Sequence, residues 1–399
     1  MKRLTTATPV HVGTGLVYDS FEYFLKDHTM HRVDPSSVLA LVPTADVAKV
    51  MEDASALKAY IARGKVRYTL PIATGRIPGP QEKIRECIKT PLLAPYIPGS
   101  TIKGAIRTAL LWKVVSSHVD DVLLWFDRSR PFRVNVLDGI KNGIPVPGTN
   151  NRIFAIQQGT RYFNPKKADN VLDNIVFGTC KWRDASKIYG TMDAQKDLLK
   201  FLAVSDFMPA GECTLALDKT VTRTKRGNAY EVKPDVAAWI EVATGTFAGS
   251  ISISPQLAVA LDATNEYPVL EDRLPILGIS KSDLRDPVVA ERKVVDHVLR
   301  TCKEFTEKVI QHEKSELGAT IKHPERAGLR VGFGVGTLYQ TIMMLLEREA
   351  PDLACKIANT IARPPPRYLN NNKIEPVYPK TYETLESSGQ PLGWLELKA

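Results

Sequence analysis

Polar and apolar residues alternate from the first segment. Leu4, Thr6, Thr8, Val10 and Val12 fall on one side, which predicts a strand over residues 3–12. Pro9 cannot donate to a ladder, so it belongs at an edge or near the strand's end. Gly13-Thr14-Gly15 then predicts a sharp turn. Behind Thr44 as N-cap, the period becomes helical through Val47, Val50, Met51, Ala54, Leu57 and Ile61. Residues 64–98 are crowded with proline and glycine, which predicts a long irregular excursion. A helix follows from Ser100 to about Ser116, with Ile102, Ile106, Ala109, Leu110 and Val114 as its apolar stripe.

Residues 128–170 carry the turn signals Asp138-Gly139, Asn142-Gly143 and Pro147-Gly148 and predict loops. Met192–Leu202 has a helical pattern. Short strands are expected at Cys213–Leu217, Trp239–Val242 and Phe247–Ser254. Val288 to about Ser315 predicts one long amphipathic helix, burying Val294, Val298, Phe305 and Val309. Arg330-Val331 leads into a glycine-rich turn and a helix from Thr337 to Glu349. Residues 363–373 predict a surface loop, and Trp394–Leu397 a closing strand. Strands and helices alternate loosely in both halves. The expected class is α+β, in two units, 1–205 and 206–399.

Of the 399 residues, 44% are hydrophobic and 24% charged, enough to bury a core and to exclude general disorder. Lys and Arg number 53 against 44 Asp and Glu, an excess of +9 that favours an anionic partner such as nucleic acid. The longest uncharged run, Val242–Leu261, alternates like a strand and the basic N-terminus lacks an apolar signal core, so no membrane partner is expected. The five cysteines are scattered without a C-x-x-C pair, which fits a reducing cytoplasm and neither a zinc ribbon nor a disulfide scaffold. No histidine pattern marks a metal site, so no metal and no small cofactor are expected.

Four segments carry candidate chemistry. Gly332-Phe333-Gly334-Val335-Gly336 lies between a short strand and a helix. It suits either a phosphate or RNA-backbone cradle or a tight turn that binds nothing. Thr337 stands at the sixth position, where a dinucleotide-binding loop needs a third glycine or alanine. In the second segment Gly99 and Ser100 precede Lys103 and Arg107, which share a helix face near its positive end; a bound phosphate would resolve that conflict, and a solvated basic face is the plain alternative. In the third, Arg223, Lys225 and Arg226 lie between strands and predict either an exposed basic hairpin or thumb able to reach a polyanion or a disordered solvated loop. In the fourth, His11 beside Gly13 and Gly15 is either a general base for RNA cleavage or a packed strand histidine. Asp19, Asp27 and Asp34 form no obvious metal pair.

Taken together these segments resemble the RAMP superfamily of CRISPR proteins. TPVHVGTG looks like its first strand and glycine turn, YIPGSTIKGAIRTALL like its glycine–serine helix start, and LRVGFGVGT like its C-terminal glycine loop. Val377-Tyr378-Pro379-Lys380-Thr381 and Pro391-Leu392-Gly393-Trp394 are similar to the tail of the fifth-subunit family of type III-A (Csm) effector complexes. Tyr382 stands where that family often has arginine, and Val335 where a small residue is common. The resemblance implies two ferredoxin-like (RRM-like) modules with long loop and helical insertions. It implies a non-catalytic subunit that caps the backbone filament, holds the 3′ region of the crRNA and supports crRNA maturation. Its implied partners are crRNA, nearby target RNA, the Csm backbone subunit, the small helical Csm subunit and host trimming nucleases. The RNA-contacting set would be His11, Gly13, Gly15, Gly99, Ser100, Lys103, Arg107, Arg223, Lys225, Arg226, Gly332, Gly334, Gly336 and Lys380. The competing expectation is a metal-independent endoribonuclease that processes precursor crRNA with His11 as base.

Overall fold

A computed structural model describes residues 1–79, 82–117, 194–226, 229–233, 237–317, 321–340, 343–349 and 381–398, with short pieces between 144 and 179. The chain is α+β. The strands that matter most are β1 (Lys2–Thr6), β2 (Gly13–Tyr18), β3 (Tyr23–Lys26), β4 (Thr29–Val33), β5 (Val66–Pro71) and β6 (Ile84–Cys87) in the first part. They continue as β7 (Leu202–Val204), β8 (Met208–Arg226), β9 (Ala229–Val232), β10 (Trp239–Gly249), β11 (Ile251–Ile253), β12 (Leu329–Arg330), β13 (Thr381–Leu385) and β14 (Trp394–Lys398). The helices that matter most are α1 (Pro35–Leu39), α2 (Val47–Glu52), α3 (Lys58–Ile61), α4 (Gly99–Ser117), α5 (Gln256–Asp262), α6 (Pro287–Leu317), α7 (Gly336–Gln340) and α8 (Met343–Glu349). Among the described residues no helix is long and apolar enough to cross a membrane.

Among the described residues, one nine-stranded sheet dominates, in the order β9–β8–β10–β1–β14–β12, with β13 on β8 and the β2–β6 pair attached to β10. Strands from both sides of residue 205 pair in it. β10 is its spine, and most of its residues are buried. One edge of β10 is taken by β8 over a long antiparallel register. Its other edge takes three partners in turn. β6 pairs in parallel at Trp239 and Ile240, Val10 bridges Ala243, and β1 pairs antiparallel from Thr246 to Gly249.

Helices α4 and α6 pack against each other and bury one large apolar core. Ile102, Ile106 and Leu110 of α4 meet Val298, Phe305 and Val309 of α6 and Leu4, Phe247 and Trp394 of the sheet. Each such side chain contributes about 1.5–3 kcal/mol by leaving water. The stripes predicted on both helices are the faces that are buried, apart from the half-buried Val114.

Several elements differ from the sequence pattern. The stretch from Thr44 is broken into short turns and helices, because Asp53 is extended and its carboxylate caps the next turn by accepting from Ser55 N at 2.8 Å. Thr44 is the first helical residue there, and Pro43 takes the cap position without a side-chain bond. Gly13-Thr14-Gly15 is no turn. It opens β2, which pairs with β6 through an irregular register, and Gly15 supplies a positive φ of 89°. The irregular excursion contains β5 and β6, where Tyr68 and Leu70 alternate toward a small core despite the flanking prolines. Residues 194–201 form short 3-10 turns because the Asp197 carboxylate bonds Leu199 N locally at 2.8 Å. Thr222–Arg226 is no free loop but the end of β8, with Arg223 paired to both Tyr382 of β13 and Val232 of β9. Within the expected loop at 128–170 the described pieces form short antiparallel pairs, Ile144–Pro145 with Arg152–Ile153 and Gln157–Gln158 with Arg161–Tyr162; the rest of it and the expected loop at 363–373 lie outside the described residues.

Candidate functional site

The connector after β1 explains the polar residues of the first motif. It runs where β10 changes partner, so backbone groups there lack ladder bonds and must find others. Thr6 Oγ1 accepts from Gly245 N at 3.0 Å, and Thr8 Oγ1 accepts from Trp394 N at 3.0 Å. His11 Nδ1 lies 2.7 Å from the Glu241 carbonyl oxygen, which can only accept, so Nδ1 carries the proton. His11 is only 2% exposed, and burial pushes its pKa below the ordinary value, with Arg85 and Lys89 adding to the effect and the bond to Glu241 opposing it. The imidazole is therefore neutral at pH 7.

The glycine loop hangs on this connector. Phe333 N donates to the His11 carbonyl at 2.8 Å, Gly393 N to Pro9 O at 2.9 Å, and Val331 N to Gly393 O at 2.9 Å. Gly332 has φ 84°, and a Cβ there would lie 2.3 Å from the His11 oxygen, so glycine is needed for this close approach. Gly334 and Gly336 also have positive φ, but a Cβ on Gly336 meets nothing within 4 Å.

Beneath the loop lies a buried polar network. Arg330 donates to Glu313 Oε1 at 2.9 Å, to Leu392 O at 2.9 Å and to Gly334 O at 3.0 Å. Glu313 Oε2 also accepts from Tyr382 at 2.6 Å and lies 2.9 Å from His323 Nε2. Burial opposes the charge on Glu313, but Arg330, His323 and Tyr382 outweigh it and hold the carboxyl below its usual value. A second buried carboxylate, Glu241, accepts from Tyr68 at 2.7 Å, from Cys87 N at 2.9 Å and from Lys89. It ties β6 to β10 just beyond the last backbone pair between them.

These pieces enclose an open cleft of about 670 Å³. One wall is β2, with Gly13, Gly15, Leu16 and Val17; the other is the face of α4 bearing Thr101, Gly104, Ala105 and Thr108. The floor holds His11, Gly332 and Phe333, and Arg85 stands over the Phe333 ring at 5.2 Å. Among the described residues Arg85 has no carboxylate within ion-pair distance, whereas Glu86 pairs with Lys89 at 3.6 Å and Arg330 with Glu313.

Three of the sequence motifs thus meet, but not through every residue singled out in them. His11, Gly13, Gly15 and Gly332 line the cleft. Gly99 is a packing glycine, buried against the Val204 and Ser205 backbone, and Ser100 is exposed at the helix start away from the lining. Lys103 and Arg107 share the other side of α4. Arg107 lies over Phe177 and pairs with Asp173 at 3.4 Å and with Asp197, while burial lowers the Lys103 pKa and Asp197 opposes that shift. Arg223 lies within the sheet far along β8, as do the backbones of Lys225 and Arg226. Lys380 lies outside the described residues. The pattern reading missed Arg85, Thr101, Thr108, Leu16 and Val17. Only the alternation Ile84, Glu86 against Arg85, Cys87 hinted that a strand presents Arg85 to one side.

The RAMP superfamily profile matches residues 3–383. The chain belongs to the RAMP superfamily. Among RAMP relatives, a CRISPR-system Csm5 protein of Methanocaldococcus jannaschii is 23% identical over 368 residues, spanning 85% of this chain and 72% of that protein. The RAMP fold recurs in a chain of a cryo-EM Csm–crRNA–target RNA ternary complex of a type III-A CRISPR-Cas system. That chain has a TM-score of 0.68 at 22% identity, with both chains covered completely. It recurs again in crystalline T. onnurineus Csm5, at a TM-score of 0.60 and 20% identity over 99% of this chain and 100% of that one. In this RAMP protein, the first-motif segment, the glycine loop and the Pro391–Trp394 segment interlock around His11, the α4 segment lines the cleft opposite, and residues 377–380 lie outside the described residues.

Proposed function

We propose that this RAMP protein is a non-catalytic RNA-binding subunit of a type III-A Csm complex. In this reading it caps the backbone filament at the 3′ region of the crRNA and supports crRNA maturation in antiviral defence. Two ferredoxin-like modules, 1–205 and 206–399, would share the central sheet, and the contacts would be with crRNA, target RNA, the backbone and small Csm subunits and a trimming nuclease. The observation that carries the reading is the convergence of three distant motifs on one open cleft beside Arg85, which has no carboxylate within ion-pair distance among the described residues. The similarity to Csm5 proteins supports the assembly, and the +9 charge supports a polyanion. The non-catalytic reading is supported by His11, whose Nδ1 is committed to a backbone carbonyl and which is buried.

The test is a salt titration of single-stranded RNA binding to the purified chain, together with co-purification of Csm subunits and crRNA. Affinity should fall steeply, each neutralised phosphate adding about −0.7 to the slope of log K against log salt. A flat titration, or crRNA-free complexes that contain the chain, would sink the binding reading. Cleavage of a repeat-containing RNA that disappears in His11→Ala would replace it with the endoribonuclease reading.

A further inference from the structure

The cleft is a poor track for phosphates. Its lining offers two arginines: Arg85, which has no carboxylate within ion-pair distance among the described residues but acts electrostatically on the Glu383 carboxyl, and Arg330, neutralised by Glu313; His11 is uncharged, and Glu86 is paired with Lys89. Its walls are instead apolar and hydroxyl-bearing. Leu16 and Val17 are 64% and 39% exposed although they sit on a strand, and Thr101 and Thr108 face them from α4. The volume of about 670 Å³ falls within the roughly 300–1,000 Å³ of small-molecule sites.

Gly104 is the sharpest clue. It lies inside the 19-residue α4, where glycine is destabilising relative to alanine. No positive φ requires it, and a Cβ there meets nothing within 4 Å. Neither backbone conformation nor packing among the described residues accounts for it. What remains is the space itself, which opens into the cleft.

We propose that the cleft seats one unstacked nucleobase of the bound RNA against the Gly104 face of α4, with Leu16, Val17 and Phe333 covering its apolar surface. The inference rests on the RNA-binding reading above and specifies what that site holds. Thr101 and Thr108 supply hydroxyls at the edge of the base, and Arg85 meets the flanking phosphate at the mouth. The glycine loop then serves as a floor for a base, and the phosphates run outside.

The decisive variant is Gly104→Leu, which fills the seat with a side chain that the helix accepts. The full-length chain and a single-stranded RNA are used, alongside RNAs carrying one abasic nucleotide at each position in turn. Gly104→Leu should unfold no earlier than wild type and bind RNA about 5- to 150-fold more weakly, the loss of one stacked base. Its salt slope should be unchanged, because no phosphate contact is lost. One abasic position should weaken wild type by the same factor and leave Gly104→Leu unaffected. If Gly104→Leu does not fold, Thr101→Leu on the same face should give this pattern. A stable variant with wild-type affinity, a reduced salt slope, or abasic effects that add to the substitution at every position overturns the nucleobase seat alone. Wild-type chain that binds none of the RNAs overturns the RNA-binding reading and the seat with it.

Discussion

Glu313→Gln removes the charge that Arg330 needs under the glycine loop. Both side chains are at most 1% exposed, and their ion pair is 2.9 Å long. The amide keeps the volume but offers one acceptor oxygen where three donors converge, from Arg330, Tyr382 and His323. Removing one partner of a buried pair costs about 3–5 kcal/mol. That is a large share of the roughly 5–15 kcal/mol that holds a domain folded. Urea unfolding followed by tryptophan fluorescence is the assay, since Trp394 is buried with Arg330 4.6 Å from its ring centroid. Arg330→Met should cost a similar amount, because it strands Glu313 and frees the Leu392 and Gly334 carbonyls. The double variant Glu313→Gln with Arg330→Met should cost about 2–3 kcal/mol less than the sum of the singles. The pH dependence has a definite sign. The folded carboxyl titrates below 4.5, its usual value, so its stabilising effect is full above 4.5 and is lost as pH falls through the lower folded value. The gap between wild type and Glu313→Gln should therefore shrink on acidification. Additive singles, or a Glu313→Gln chain within about 0.5 kcal/mol of wild type, would refute the reasoning.

His11→Ala should cost roughly 1–3 kcal/mol, the penalty of leaving the buried Glu241 carbonyl unpaired, measured by chemical unfolding. Because burial depresses the folded His11 pKa, the unfolded chain takes up the proton first, and wild type should lose stability as pH falls below 6.5 more steeply than His11→Ala. Gly332→Ala should destabilise more than Gly336→Ala. Both incur the left-handed penalty of about 1–2 kcal/mol, but only the Cβ at residue 332 strikes the His11 carbonyl; equal unfolding midpoints would contradict this.

What was legible in the sequence was whatever a single element decides for itself. The apolar stripes of α4 and α6 are periodic over many turns and are buried as that period requires. The segments around His11, Gly104 and Gly332 were visible as motifs, yet their roles were not, because each is fixed by a neighbour distant in sequence. Thr8 and His11 look like chemistry but complete the backbone bonding of Trp394 and Glu241. Arg107 looks like a free cation until the carboxylates of Asp173 and Asp197 close on it. Arg85 sits in a four-residue strand between proline-rich segments, too short for periodicity to announce. The continuous β8 read as short strands and a loop because its end is sheltered by β9 and β13 rather than by an apolar pattern of its own.

The pairing of β1 with both β10 and β14 bears on how the chain is made. Arg3 lies opposite Ala248 on one side and Lys398 on the other. A strand synthesised first waits for a partner some 240 residues later, and its second edge stays open until residues 394–398 have left the ribosome. Such non-local pairing slows folding, and an uncovered strand edge invites association with other chains. The nascent protein would thus depend on chaperones or on rapid covering of that edge, and a tag or truncation at residues 394–398 should impair folding far more than one on an exposed loop.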